Sequence, residues 1–297
     1  MNYLKGWRPT VTVALGLGLL SSCSGSSSTA RVATSAPALN TATTATTDVV
    51  HLLVLGDSIA IPTMGCGSCE GFDRQYAAFL ETALGRSVEL YNQARGGATI
   101  LDLESLLDSD AAIQAEIAQA DVVVVSIGYN SGAPFGSNDP CHAPDAIHDI
   151  DQLNAILSFT PECIQETLQI RRRQLEAVYA RLETLAAKRP QLRVTFGVFN
   201  NLKDNPGGDG TFADFAPADM TKVASIMVSL TNDWNTMNCE VATAHRFVCA
   251  DLYHAFNGPD GTASVKELVS ADFTHPSERG QAVMAQLLEK VPLDQLQ

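Results

Sequence analysis

The chain has 297 residues, with 33 acidic against 19 basic side chains and a formal net charge of −14. A field of that sign repels nucleic acid and anionic lipid surfaces, which excludes a nucleic-acid partner; neutral or cationic substrates are compatible with it.

The first residues read as a targeting segment. Lys5 and Arg8 make a positive start, and Val11 to Leu20 is a small-and-apolar run, too short to span a bilayer. The run ends in Leu20-Ser21-Ser22-Cys23, which resembles a bacterial lipobox, so 1–22 is expected to be removed and Cys23 lipidated. An ordinary secretory signal with an incidental cysteine is the alternative. Residues 23–47 are rich in Ser, Thr and Ala and cannot bury enough apolar surface to offset their ordering entropy. They read as a tether reaching roughly 25 to 30 Å. Any membrane contact is expected only through the lipid at Cys23. Residues 48–297 have the length of one large domain, expected to be a monomer. Without Lys5 and Arg8, 17 basic residues face 33 acidic ones.

Beyond the tether, apolar runs alternate with amphipathic stretches, the pattern of an α/β domain with a parallel sheet. Strands are predicted at His51 to Gly56, Ser87 to Tyr91, Asp121 to Ile127, Leu192 to Phe199 and Arg246 to Leu252. Thr160-Pro161 begins a helix predicted to reach Arg189, with Ile164, Leu168, Leu175, Val178, Leu182 and Leu185 on one face. A last helix follows Pro276, with Val283, Leu287 and Val291 repeating every four residues. The stretch from Ser131 to Thr160 lacks periodicity and reads as a cysteine-stapled excursion; Asp204 to Asp214 reads as a Gly- and Asp-rich loop.

Six cysteines remain besides Cys23: Cys66, Cys69, Cys141, Cys163, Cys239 and Cys249. An even number in an exported chain reads as disulfides. Sequential pairing is expected because each neighbour closes a short local loop. Cys66-Gly-Ser-Cys69 is also the spacing of a redox pair or half a zinc site, but no second C-x-x-C accompanies it. Two acidic clusters, His142, Asp145, His148 and Asp149, then Asp204, Asp209 and Asp214, lack a recognised ligand spacing and read as solvated loop charge. Neither a metal nor a cofactor is expected.

The candidate chemistry lies at predicted strand ends, where open parallel sheets bind ligands. The first strand ends in Gly56-Asp57-Ser58-Ile59, presenting a serine hydroxyl. Arg95-Gly96-Gly97-Ala98 follows the second strand, where a glycine frees a backbone N–H to face a ligand. The third strand delivers Gly128-Tyr129-Asn130, whose amide can donate to a developing oxyanion. Near the C-terminus, Asp272-Phe273-Thr274-His275 lets a carboxylate accept from imidazole Nδ1, leaving Nε2 for a serine proton.

In this order the four blocks resemble the SGNH/GDSL hydrolase superfamily, over Leu52 to Gly280. The resemblance implies a three-layer α/β/α sandwich with a mostly parallel sheet of about five strands. It implies Ser58 as nucleophile, His275 and Asp272 as base and acid, and an oxyanion hole from the Ser58 N–H, Gly97 and Asn130. Ile59 and Ser131 depart from the family pattern, which commonly has leucine and aspartate there. The implied activity is hydrolysis of carboxylic esters, with short to medium acyl or acetyl groups favoured because the Ser131 to Thr160 segment is partly polar. Small-molecule, glycan and lipid esters all fall within the family. A lipase or phospholipase, and an inactive lipid-anchored binding protein, are the alternatives. An α/β-hydrolase would need a G-x-S-x-G elbow, which is absent from the sequence.

Overall fold

The computed structural model describes residues 49–131, 140–142, 150–186, 190–201 and 217–296; the expected signal segment and tether and the segment Asp204 to Asp214 lie outside them. Residues 45–297 make up a compact unit of their own. Its strands are β1 Val50–Gly56, β2 Val88–Asn92, β3 Val122–Ser126, β4 Leu192–Phe196 and β5 Val248–Ala250. They form one sheet in the order β2-β1-β3-β4-β5 with every pairing parallel. The described helices are α1 Pro62–Cys66, α2 Phe72–Leu84, α3 Ile100–Ser109, α4 Ala111–Gln119, α5 Ile150–Leu157, α6 Pro161–Leu185, α7 Pro217–Ala244, α8 Leu252–Asn257 and α9 Glu278–Glu289.

A parallel sheet needs cover on both faces, and the Leu and Val runs of β1 and β3 supply apolar side chains to both. Leu52, Val54, Val122 and Val124 enter one core with Phe72 and Tyr76 of α2 and Met284 and Leu288 of α9. Their neighbours Leu53, Leu55, Val123 and Val125 enter a second core with Ile100, Ile117, Val178 and Trp234 from α3, α4, α6 and α7. The result is the three-layer sandwich, with a wholly parallel sheet. The helices α2 and α9 are joined by a buried bond in which the Phe72 N–H donates to Gln281 Oε1 at 3.0 Å across 209 residues of chain.

The strand order sends the chain from β1 to β2 on one side and then to β3 on the other. That reversal opens a crevice at the carboxyl ends of β1 and β3, where ligands of such sheets bind. The β1 and β3 backbones approach closely there. A Cβ on Gly56, whose φ is 152°, would lie 2.0 Å from the Ser126 carbonyl oxygen, so only glycine fits.

Several predicted boundaries move. β4 stops at Phe196 rather than Phe199 because side-chain amides replace the ladder: the Val198 N–H donates to Asn235 Oδ1 and the Asn200 N–H to Asn257 Oδ1, both at 2.8 Å. β5 is shorter than Arg246 to Leu252, since Arg246 has a φ of 62° and Leu252 already opens α8. α6 starts as predicted, with Thr160 Oγ1 accepting from the Cys163 N–H; it is helical to Leu185, and 187–189 fall outside the described residues. On α9 the deepest line is Gln281, Met284, Ala285 and Leu288, with Val283 and Leu287 beside it, because a strict four-residue step drifts around a 3.6-residue helix. The segment expected to lack periodicity contains α5, whose Ile156 packs on Val223, Met227 and Leu230 of α7. Among the described residues no helix is long and apolar enough to cross a membrane.

The cysteines pair sequentially: Cys66 with Cys69, Cys141 with Cys163, and Cys239 with Cys249, at Cα separations of 5.5, 5.0 and 5.4 Å. The last bridge ties α7 to β5, the edge strand of the sheet. Replacing Cys239 and Cys249 together by serine is expected to lower the unfolding free energy by about 2 to 3 kcal/mol, read as a reduced urea midpoint.

Candidate active site

Ser58 begins a 3-10 turn, Ser58–Ala60, directly after β1 and Asp57. Asp57 organises this turn. Its Oδ1 accepts from the Ile59 N–H at 3.0 Å, while its Oδ2 accepts from the N–H groups of Gly128 and Tyr129, at 3.2 and 3.0 Å, in the loop after β3. Burial pushes the Asp57 carboxyl up to about 6, against the opposing pull of these backbone donors and of nearby His275.

At the end of β2, Asn92 Nδ2 donates to the Ala60 carbonyl at 2.8 Å and to Asp73 Oδ2 at 2.9 Å, tying the serine turn to the first turn of α2. The loop beyond it carries Gly97 at a φ of 76°, a left-handed conformation suited to glycine. Thr99 and Asp102 then close a capping box on α3, and the Ile100 N–H is taken by Ser131 Oγ at 3.1 Å. Ser131, which stands where the resemblance has aspartate, therefore fastens the third loop to α3. Asn130 is oriented by the neighbouring loop, its Nδ2 donating one hydrogen to the Ala98 carbonyl at 3.0 Å.

Three donors are left unspent around this crevice. Among the described residues, the backbone N–H groups of Ser58 and Gly97 donate to no protein group, and the Asn130 amide keeps a second hydrogen.

The turn carrying Asp272 and His275 precedes α9. Asp272 Oδ2 lies 2.7 Å from His275 Nδ1, and its Oδ1 accepts from Ser270 Oγ at 2.7 Å and from the Thr274 and His275 N–H groups, both at 2.9 Å. Burial works against ionisation of Asp272, but the bonds from Ser270, His275 and Thr274 outweigh it and hold the carboxyl down at about 2. The remaining imidazole nitrogen, Nε2, is buried and has no hydrogen-bond partner. Ser58 Oγ likewise makes no hydrogen bond among the described residues, so His275 and Ser58 are not directly bonded here. Their surroundings do meet: a Cβ placed on Gly65 of α1 would come within 2.9 Å of His275 Cβ.

Beside Gly97 opens a cavity of about 770 Å³ between the loop after β2, α3 and the start of α4. Its described lining is half polar, with Arg95, Asp102, Ser105 and Asp110 beside Leu103 and Leu106. Arg95 and Asp110 face each other across it at 3.6 Å. Of the two acidic clusters, only His142 falls within the described residues; Asp145, His148, Asp149, Asp204, Asp209 and Asp214 lie outside them. Among the described residues no three His, Cys, Asp or Glu side chains gather as a metal-binding group.

Sequence motifs contained Ser58, Gly97, Asn130, Asp272 and His275 but gave no sign of what Asp57, Asn92 and Ser131 bind. Each of those three roles depends on a partner from another element.

A serine turn thus follows the first strand of the parallel sheet, and an Asp-His turn precedes the last helix of the α/β/α sandwich. Residues 54–283 match the family model described as GDSL-like lipase/acylhydrolase. The chain belongs to that family and is an ester hydrolase. Its fold is similar to that of a lipase from a goat rumen metagenome, at 18% identity and a TM-score of 0.58, over 80% of this chain and 95% of that one. An extracellular lipase from Streptomyces rimosus is also similar, at 18% identity and a TM-score of 0.56, over 82% of this chain and 100% of that one. An acetyl-xylooligosaccharide esterase from Geobacillus stearothermophilus shares the fold at 16% identity and a TM-score of 0.50, over 82% and 95% of the two chains. No curated protein matches the chain.

The depressed Asp272 carboxyl makes a pH-dependent contribution to stability. A carboxyl with a lowered folded value stabilises the fold above its unfolded value, near 3.8, and loses that contribution as pH falls through about 2. The difference in unfolding free energy between wild type and Asp272→Asn, measured by urea denaturation, is therefore expected to shrink as pH falls from about 4 to about 2.

Proposed function

We propose that this family member hydrolyses carboxylic esters through Ser58, His275 and Asp272. The observation that carries the reading is the His275 ring, fixed through Nδ1 to Asp272 at 2.7 Å while its buried Nε2 remains unpaired. An imidazole held in that tautomer keeps a lone pair on Nε2 that can take the proton of a hydroxyl. Ser58 Oγ attacks the ester carbonyl as Nε2 takes its proton, and the proton passes to the departing alcohol oxygen. Water then loses a proton to His275 and attacks the acyl-enzyme, returning the carboxylic acid and free Ser58. The unspent N–H groups of Ser58 and Gly97, with the second Asn130 hydrogen, are suited to the oxyanion formed in each step.

For the substrate, the half-polar cavity beside Gly97 favours a short to medium acyl group and a polar alcohol over a long lipid tail. One observation favours a lipase instead: Met64 and Leu101, two of the exposed large apolar side chains, lie on the helices flanking the Gly96–Gly97 loop. A comparison of kcat/KM for acetyl, butyryl, octanoyl and palmitoyl esters decides between them. Acetyl or butyryl is expected to lead, and a palmitoyl preference overturns the short-chain reading.

The roles of the individual residues have distinct signatures. Ser58→Ala and His275→Ala are expected to lower kcat by about 10⁵ to 10⁶-fold, and Asp272→Asn by about 10⁴-fold. Removing one oxyanion donor with Asn130→Ala should cost about 10² to 10³-fold. A fluorophosphonate should label wild-type Ser58 stoichiometrically, which a mere binding scaffold would not show. Appreciable esterase activity in Ser58→Ala refutes the assignment.

The paired cysteines and the N-terminal segment support export to an oxidising compartment, with Cys23 as the lipid-bearing residue. Mass spectrometry of protein from a lipoprotein-processing host is expected to find diacylglycerol on an N-terminal Cys23. A mature N-terminus elsewhere rejects the anchor.

A further inference from the structure

The turn that carries Asp272 and His275 contains a left-handed residue, held by local bonds and by one contact from far along the chain. Phe273, between Asp272 and His275, has a φ of 57°, a left-handed geometry unfavourable for an L-residue with a Cβ. Such a conformation persists where the surroundings over-determine it. One outside contact stands out: the Phe273 carbonyl accepts from Asn201 Nδ2 at 2.6 Å, across 72 residues.

Asn201 is itself well held. The residue before it is clasped by the buried amide of Asn257, whose Oδ1 accepts from the Asn200 N–H at 2.8 Å and whose Nδ2 donates to the Asn200 carbonyl at 2.6 Å. Asn201 also lies beside the hydroxyl of Tyr129. Tyr129 is anchored in turn, its N–H donating to Asp57 Oδ2 and its ring lying 5.3 Å from that of Phe199. A continuous set of contacts thus runs from Asp57, beside Ser58, through Tyr129, beside Asn130, to Asn201 and the turn that bears His275. A carboxamide suits the junction because its NH2 offers two donors on one planar group.

We propose that Asn201 is a positioning residue for catalysis, its amide fixing the Phe273 carbonyl, and with it the His275 imidazole, relative to the Ser58 and Asn130 loops. The inference rests on the Ser58–His275–Asp272 reading given above. Asn201 touches no reacting atom, so its loss misplaces the base while leaving substrate binding intact. Misplacement of that kind lowers kcat with little change in KM.

The test compares the full chain with Asn201→Ala and Asn201→Asp. Asn201→Ala removes both donors; Asn201→Asp keeps the shape but turns an acceptor-only carboxylate toward a carbonyl oxygen. Asn201→Ala is expected to lower kcat by about 10 to 100-fold with KM within about threefold, and to slow fluorophosphonate labelling of Ser58 by a similar factor. Asn201→Asp is expected to lose at least as much. A folded Asn201→Ala variant with wild-type kcat, or with its whole loss in KM, overturns the inference. Failure of both variants to fold assigns Asn201 a purely structural role and overturns it equally. If the wild-type enzyme is active but Ser58 is not labelled, the triad itself is refuted, and that outcome is separate from any result at position 201.

Discussion

The described site hangs on a single buried carboxylate. Asp57 is 1% exposed, and a carboxylate removed from water must find its donors in the protein. It finds three, all backbone N–H groups: one from the turn that begins with Ser58 and two from the loop that ends in Asn130. Because those donors belong to different strand ends, the carboxylate measures the distance between them. The close approach of Gly56 to the Ser126 carbonyl sets the same distance from the strand side. Asn92 and Ser131 extend this logic to α2 and α3, each a small polar side chain spanning two elements that no main-chain ladder connects.

What remains unbonded is as telling as what is bonded. The Ile100 and Asp102 N–H groups of α3 are spent on Ser131 and Thr99, and one hydrogen of the Asn130 amide is spent on Ala98. The N–H groups of Ser58 and Gly97 and the second Asn130 hydrogen are not. Polar groups that a fold leaves unsatisfied beside a nucleophile are preorganised for charge that appears only during reaction, and they need no rearrangement when it does. In the acid–base turn the pattern is inverted: Asp272 is saturated with four donors, which keeps it ionised beside the imidazole.

Much of the fold was legible because a parallel strand buried on both faces must be apolar throughout, as in Val122 to Val125. The ends of β4 and β5 were not, since the first is decided by Asn235 and Asn257, far along the chain, and the second by the left-handed turn at Arg246. The α5 helix escaped notice because its apolar residues cover a small satellite core rather than the sheet. At the candidate site, a serine at a strand end and an aspartate three residues before a histidine can be picked out from the sequence because their chemistry is intrinsic. Asp57, Asn92, Ser131 and Asn201 act through partners 19 to 72 residues away, and no local spacing encodes such pairings.

The bond between the Phe72 N–H and Gln281 sets a timetable for maturation. Synthesis at about 5 to 20 residues per second separates donor from acceptor by about 10 to 40 s. During that interval the early strands and α2 lack the last helix that covers Leu52, Val54 and Tyr76, and the Ser58 turn lacks the segment that carries Asp272 and His275. With the proposed triad drawn from the two ends of its domain, such an ester hydrolase is silent until its chain is complete. A nascent or C-terminally truncated copy would be a sticky, inactive intermediate rather than a weak enzyme.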